Sequence, residues 1–359
     1  MFQKGLKDVV AVQTKIASVD GEKGELRYRG SLVEEAVQDK SFEETAYFLW
    51  HGEFPTEEQA YKLNRQFIKY RTLPAHVAKV AEELPVNVPL MDNMRTLMSA
   101  YYDGEYVTLS PSEQAIALTS ALSVMTAMLY RLQNGYEIIH PNDGFGHVAN
   151  YLWMLNGEEP SSAQIEALET YLKLTMEHGM NASTFAARVT VSTESDMVAA
   201  VTSALGTMKG PLHGGAPSGV ITLLNEISTA DDIDSVISSK LEAGEKIMGF
   251  GHRIYRTEDP RSILLRGKCL ELQGSDPWLD LAVVAEKRII QLLNERKPGR
   301  ALYTNVEFYA AAIMRSIDMP PALFTPTFSI ARIVGWTAHT IEQQQDNVIF
   351  RPQSIYVGN

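Results

Sequence analysis

The chain has 359 residues, with 32 Lys+Arg against 44 Asp+Glu and a formal net charge of −12 at pH 7. Hydrophobic residues make up 45% and charged residues 21%, an ordinary globular balance with core enough for two domains or one large one. The acidic excess argues against nucleic acid and anionic membrane as partners, which need surplus Lys/Arg on one face, and the one cysteine, Cys269, excludes an intrachain disulfide and fits a reducing compartment. Charge alone also predicts indifference to small anions.

Met1 to Lys15 carries Lys4, Lys7 and Asp8 and no long apolar run, so no secretory signal is expected and the expected location is cytoplasmic. Residues 14–28 read as a short hairpin: Ile16 and Ser18 alternate, Asp20-Gly-Glu-Lys-Gly24 turns, and Leu26 and Tyr28 alternate on the return. Helix signals follow. Ser41-Phe-Glu-Glu44 is a capping box, Thr56 caps the next helix with Glu57 and Glu58 in its first turn, and Ser110-Pro-Ser-Glu113 combines an N-cap, Pro at N1 and a capping-box Glu. Residues 114–130 are 17 residues without a charge, short of the ~20 needed to span a bilayer. Their small and hydroxyl side chains predict a core or subunit-interface helix. Ser161-Ser-Ala-Gln164 repeats the capping device before Ile165, Leu168 and Leu172. Asp276-Pro277 precedes a long helical pattern that stops at Pro298-Gly299, Thr325-Pro326 opens another to about Gln344, and residues 348–357 look extended. The expected fold is mostly α, with ten or more helices and a minor N-terminal β element. Strands and helices do not alternate, which argues against a doubly wound sheet.

Three of the eight histidines have unusual surroundings. His213 lies in Gly210-Pro-Leu-His-Gly-Gly-Ala-Pro-Ser-Gly219, a tight glycine loop before an apolar helical run. A helix N-terminus disfavours imidazolium, so this ring is expected to stay neutral and donate to a ligand oxygen; a plain helix cap is the alternative. His252 lies in Gly249-Phe-Gly-His-Arg-Ile-Tyr-Arg-Thr-Glu-Asp-Pro-Arg261, whose glycines let backbone approach a ligand. Its spacing fails the dinucleotide fingerprint, because Ile254 stands at the third glycine position. From Gly249 to Lys268 there are five cationic side chains against two carboxylates, a local +3. The alternative there is a solvated loop in which Arg261 pairs with Asp259. His178 lies in Glu177-His-Gly-Met-Asn-Ala-Ser-Thr184. No His pair has zincin spacing, so no metal site is expected. The residues alone support a helical protein with an anion site lined by His and Arg.

At these segments the sequence resembles the citrate synthase family. The His178, His213 and His252 segments, Asp259-Pro-Arg261, Asn305-Val-Glu307-Phe-Tyr309 and Phe350-Arg351-Pro352 occur in the family order. Asp20-Gly-Glu-Lys-Gly-Glu-Leu-Arg-Tyr-Arg-Gly30 looks like the N-terminal signature of its shorter bacterial members, and the likeness covers essentially the whole chain.

The resemblance implies condensation of acetyl-CoA with oxaloacetate, then hydrolysis of citryl-CoA to citrate and CoA. It implies an almost all-helical fold, with a large domain at 1–215 and 321–359 and an inserted small domain at 216–320 that closes on substrate. It implies a homodimer in which Arg351 reaches the neighbour's site, acetyl-CoA as co-substrate, and no permanently bound cofactor. Glu307 then supplies the base, His213 the donor to the enolate oxygen, and His252 polarises the oxaloacetate carbonyl. His178, Arg261, Arg332 and Arg351 form the oxaloacetate clamp. Backbone of Ile247, Gly249 and Gly251 surrounds the adenine, with Arg256 and Arg300 near phosphates. One departure stands out: the family's usual base is Asp, and Glu307 is one methylene longer. A 2-methylcitrate synthase using propionyl-CoA, or a weakly active or non-catalytic regulatory paralogue, are the alternatives.

Overall fold

The computed structural model describes residues 2–214, 216–252, 254–271, 277–297, 299 and 302–358. Sixteen α-helices and one small sheet are found among them. The hairpin forms as expected. β1 (Ala17–Asp20) pairs antiparallel with β2 (Glu25–Tyr28), and Oδ1 of Asp20 accepts from the backbone N–H groups of Glu22 and Lys23 to close the turn. A short third strand, β3 (Ser31–Leu32), adds to β2 and was not foreseen.

The large helical body runs α1 (Val33–Val37), α2 (Phe42–His51), α3 (Glu57–Lys69), α4 (Ala75–Glu83), α5 (Leu90–Ser99), α6 (Pro111–Gln133), α7 (His147–Asn156), α8 (Ser162–Thr175), α9 (Ala182–Val191) and α10 (Met197–Met208). Ser41, Thr56, Ser110 and Ser161 cap α2, α3, α6 and α8, each with its side chain accepting from the N3 backbone N–H and the N3 Glu or Gln reaching back. Helix α6 has the length and composition of a membrane span, but Ala115 through Leu129 are buried within the fold.

Residues 216–320 build α11 (Ala216–Ile227), α12 (Ile233–Glu242), α13 (Pro260–Glu271), α14 (Pro277–Arg296) and α15 (Val306–Ser316). These five pack on one another, and meet the rest of the chain chiefly where α13 and α15 touch α8, where α13 touches α1 and where α11 touches α16. Asp276 and Pro298, expected to bound α14, lie outside the described residues. The last helix, α16 (Phe324–Gln345), is the central post, packed by α2, α6, α8, α9 and α10. Beyond it, residues 347–358 form no strand and are almost entirely exposed.

Candidate active site

Where α16, the start of α9 and the loops before α11, α13 and α15 converge, they enclose a cavity of about 1040 Å³. His178, His213, His252, Arg261, Glu307 and Arg332 all line it, as does Gly251. Residues far apart in sequence therefore meet in one place, and each is fixed by local structure.

His252 sits on a loop shaped by Gly249 (φ +86°) and Gly251 (φ +83°), a backbone region open chiefly to glycine. The tip of the N-terminal hairpin docks on this loop. Arg256 donates its backbone N–H to the Gly21 carbonyl at 2.9 Å, and a Cβ at Gly21 would meet the Ile254 carbonyl oxygen at 2.4 Å. Within the loop, Nδ1 of His252 accepts backbone N–H groups from Ile254 (3.0 Å) and Tyr255 (3.1 Å). With Nδ1 occupied as acceptor, the neutral ring carries its hydrogen on Nε2, which is left to donate. Tyr255 is buried, and its hydroxyl lies 3.1 Å from Nε2 of His178. The His178 and His252 rings meet edge to face, with centroids 5.5 Å apart.

His213 lies in the turn before α11, with Nε2 2.7 Å from the Ser183 hydroxyl. Ser183 also donates to Oδ1 of Asn181 (2.8 Å) and accepts from Nε1 of buried Trp336 (3.0 Å). Asn181 in turn caps α9, and Asn305 caps α15 by accepting the Glu307 N–H at 3.1 Å. Glu307 is thus held in the first helical turn, facing the positive end of the α15 dipole.

The cations differ in how they are held. Arg261 is buried and bound bidentately by Asp259, Nε to Oδ1 at 3.0 Å and Nη2 to Oδ2 at 2.7 Å. The pairing read from the sequence is present, but both partners are buried rather than solvated. Arg332 is also buried; among the described residues its hydrogen bonding is limited to Nε donating to the Thr175 carbonyl (2.8 Å), with the guanidinium over the Phe328 ring. It is the open fork of the site, suited to a carboxylate. The local +3 is largely answered from elsewhere: Arg266 pairs with Glu258 and Glu286, and Lys268 with Glu166 and Glu271.

Burial sets the protonation states. Desolvation, with help from Arg332, pushes His213 down to about 4. Desolvation and then Arg261 push His252 down to about 4, against the pull of Asp259. His178 is held well below the usual imidazole range by burial, then by Arg261, Arg332 and His252. Desolvation raises the Glu307 carboxyl to about 7, although Arg261 and Arg332 oppose the rise. The cavity thus offers neutral imidazoles, a carboxylate poised near neutral pH as a base, and buried positive charge for an anion.

Several lining or supporting residues were not singled out from the sequence. Gly5, Leu6, Val9 and Val10 of the N-terminal arm line the cavity, and Ser183, Tyr255 and Asn305 orient its rings and carboxylate. The last three stand inside the motifs already noted, but only their tertiary partners reveal what they do.

A family model described as citrate synthase, C-terminal domain, matches residues 5–353. Citrate synthase from Synechocystis sp. is 36% identical over 371 residues, covering 100% of this chain and 91% of that one. 2-Methylcitrate synthase from Shewanella oneidensis is also 36% identical, covering 99% and 94%. The citrate synthase of Thermoplasma acidophilum, solved as a ternary complex with carboxymethyl coenzyme A and oxaloacetate, superposes with a TM-score of 0.90 at 28% identity over 100% of this chain and 97% of that one. The chain belongs to the citrate synthase family. It is a condensing transferase.

In this citrate synthase family chain, some expected ligand contacts fall outside the cavity. Arg351 lies on the exposed C-terminal segment, by a separate cavity of about 920 Å³ that Lys15, His51 and Glu342 also line. Arg256 is exposed and does not line the 1040 Å³ cavity. Arg300 lies outside the described residues. Ile247 is buried, and the backbone of Gly249 and Gly251 is already engaged within the chain. The Gly249 carbonyl accepts from Asn305 N–H, Gly251 N–H donates to the Tyr303 carbonyl, and the Gly251 carbonyl accepts from Nδ2 of Asn305.

Proposed function

We propose that this chain condenses acetyl-CoA with oxaloacetate and hydrolyses the resulting citryl thioester to citrate and CoA. The observation that carries this reading is one cavity in which a carboxyl raised to about 7 shares its walls with neutral His213 and His252 and with buried Arg332. An acetyl methyl is a very weak acid. Its proton is removed only if a base is in place and the enolate oxygen meets a donor. Glu307 takes the proton. With the Ser183 hydroxyl turned toward His213, Nε2 accepts and Nδ1–H is the donor to the enolate oxygen. Nε2–H of His252 polarises the oxaloacetate carbonyl and protonates the new alkoxide as the carbon–carbon bond forms. Arg332, Arg261 and His178 hold the oxaloacetate carboxylates, and Arg351 of a second copy completes the clamp in a homodimer. Residues 216–320 form the small domain whose closure excludes water during enolisation. Ile247, Gly249 and Gly251 face the adenine, and Arg256 and Arg300 the phosphates, of the acyl-CoA.

The donor could instead be propionyl-CoA, since a 2-methylcitrate synthase is as similar to this chain as a citrate synthase. One methylene in a pocket is worth only ~1–3 kcal/mol, so the acyl pocket must be tested directly. Release of free CoA, followed with a thiol reagent in the presence of oxaloacetate, tests the reading. A higher kcat/KM for acetyl-CoA than for propionyl-CoA supports citrate formation, and the reverse order supports 2-methylcitrate. No CoA release from either donor excludes both.

A further inference from the structure

Behind the cavity wall runs a buried chain of charged and polar groups that the proposed chemistry does not use. Arg188 of α9 donates Nε–H to Nδ1 of His339 on α16 at 2.9 Å, and Nε2 of His339 lies 3.2 Å from Oε1 of Glu177. A guanidinium only donates, so Nδ1 is an acceptor, the ring hydrogen is on Nε2, and His339 donates to the carboxylate. His339 and Glu177 are completely buried. Arg188 is anchored from the far side by Oε1 of Gln343 at 2.9 Å and by an ion pair with Glu342.

The other end of the chain presses on α16. Oε2 of Glu177 has no hydrogen-bond partner among the described residues. It and the Met176 carbonyl press onto α16 at Gly335, where a Cβ would meet them at 2.3 and 2.5 Å. Residues Arg332, Gly335 and His339 follow one another along one face of α16, at helical spacing. The segment 175–178 therefore lies flat on α16 between Arg332 and His339. It carries two groups that face ligand or hold one that does. The Thr175 carbonyl accepts Nε of Arg332, and His178 lines the cavity.

We propose that His339 is a positioning residue. Bridging Arg188 to Glu177, it locks the 175–178 segment on α16 and thereby sets the spacing between His178 and Arg332 that recognises a dicarboxylate substrate. The proposal rests on the reading of Arg332 and His178 as oxaloacetate contacts. The lock acts on the dicarboxylate and not on the acyl-CoA, because the two groups that the 175–178 segment carries or holds, His178 and Arg332, are both read as oxaloacetate contacts.

The test is steady-state kinetics and calorimetry on four variants of the full chain. His339→Leu removes both bonds. His339→Asn keeps an acceptor for Arg188 and drops Glu177. His339→Gln carries the same amide one methylene farther out, so that its acceptor and donor together can serve Arg188 and Glu177. Arg332→Ala reports on the underlying functional reading. The expected result is an oxaloacetate KM raised about tenfold or more in His339→Leu and His339→Asn, with kcat and the acyl-CoA KM within about threefold of the parent, and recovery in His339→Gln. If His339→Leu fails to fold, His339→Asn carries the comparison. An unchanged oxaloacetate KM in both, or equal effects on both substrates, or no recovery in His339→Gln, overturns the proposal. If Arg332→Ala leaves oxaloacetate binding intact, the reading of Arg332 falls with it; if Arg332→Ala abolishes binding while the His339 variants do not move it, only the lock falls.

Discussion

The Ser183 hydroxyl stands 2.7 Å from Nε2 of His213 and so governs which nitrogen of that ring carries the hydrogen. Donating to Asn181, the hydroxyl obliges Nε2–H of His213 to donate to it; rotated toward His213, it makes Nε2 an acceptor and frees Nδ1–H for the cavity. The pressure of burial on His213 keeps the ring neutral in either case. Ser183→Ala removes this control and leaves the buried Trp336 N–H without its partner. We expect kcat to fall about 10- to 100-fold, while the oxaloacetate KM stays within about twofold, because Ser183 supports the ring and not the clamp. A kcat equal to the parent's in steady-state assays removes Ser183 from the mechanism.

Glu307 gives a prediction with a sign. As a base it must be ionised, and its carboxyl is raised to about 7, so kcat/KM should fall about tenfold per pH unit on the acid side of neutrality. Glu307→Ala should abolish CoA release while calorimetry still detects CoA binding; turnover within a few-fold of the parent excludes Glu307 as base. Glu307→Asp withdraws the carboxylate by one methylene. If the longer side chain is tuned to this backbone, that variant should lose about 100-fold, the scale of a ~1 Å misplacement.

The same shift appears in stability. Between the ordinary value of 4.5 and about 7, the folded chain binds more protons at Glu307 than the unfolded chain does. The contribution of this group to stability is therefore greatest at low pH and is lost as pH rises through that window. Glu307→Gln escapes the loss. Its melting temperature should exceed the parent's at pH 8, and the gap should close toward pH 4.5. A gap that does not change with pH contradicts the raised carboxyl.

How much of this was legible beforehand depends on the reach of each interaction. The caps at Ser41, Thr56, Ser110 and Ser161 were readable because a capping box closes within four residues. The turn at Asp20 was readable for the same reason. The charged ring of the site was readable only through motif order, since nothing in composition brings Arg332 to Glu307. Arg188 and His339 were opaque, and Glu177 was visible only as the first residue of the His178 motif, because their bonds span more than 150 residues. The local +3 misled in the opposite direction, because Glu286 and Glu166, which neutralise it, come from α14 and α8. Net charge likewise says nothing about the cavity, where Arg332 is offered to an anion inside a chain of −12.

Gly335 shows the same limit as a single position. Mid-helix glycine costs about 1 kcal/mol against alanine by propensity alone, so Gly335→Ala ought to stabilise α16. The structure reverses the sign. A Cβ there meets Oε2 of Glu177 at 2.3 Å and the Met176 carbonyl at 2.5 Å, and the second is backbone that cannot swing away. We expect Gly335→Ala to destabilise by about 1–3 kcal/mol in urea unfolding. A stabilised variant would mean that the 175–178 segment does not lie on α16 as described.

Arg351 decides whether the site is built by one chain or two. It lies outside the candidate site's cavity in its own chain, on an exposed segment where Ile349, Ile355, Tyr356 and Val357 are also exposed, so much apolar surface there is uncovered. If Arg351 completes the clamp of a second copy, Glu307→Ala and Arg351→Ala chains are each inactive alone but complementary. Joined in one dimer, the Arg351→Ala chain supplies an intact Glu307 and borrows Arg351 from the other, so one of the two sites is whole. Random pairing of equal amounts makes half of the dimers mixed, and the activity recovered should approach roughly a quarter of the parent's. Co-refolding the two variants and measuring CoA release gives that number. No recovery, with mixed dimers confirmed by mass, would place Arg351 in its own chain's site, and an Arg351→Ala chain active on its own would place it outside the chemistry altogether.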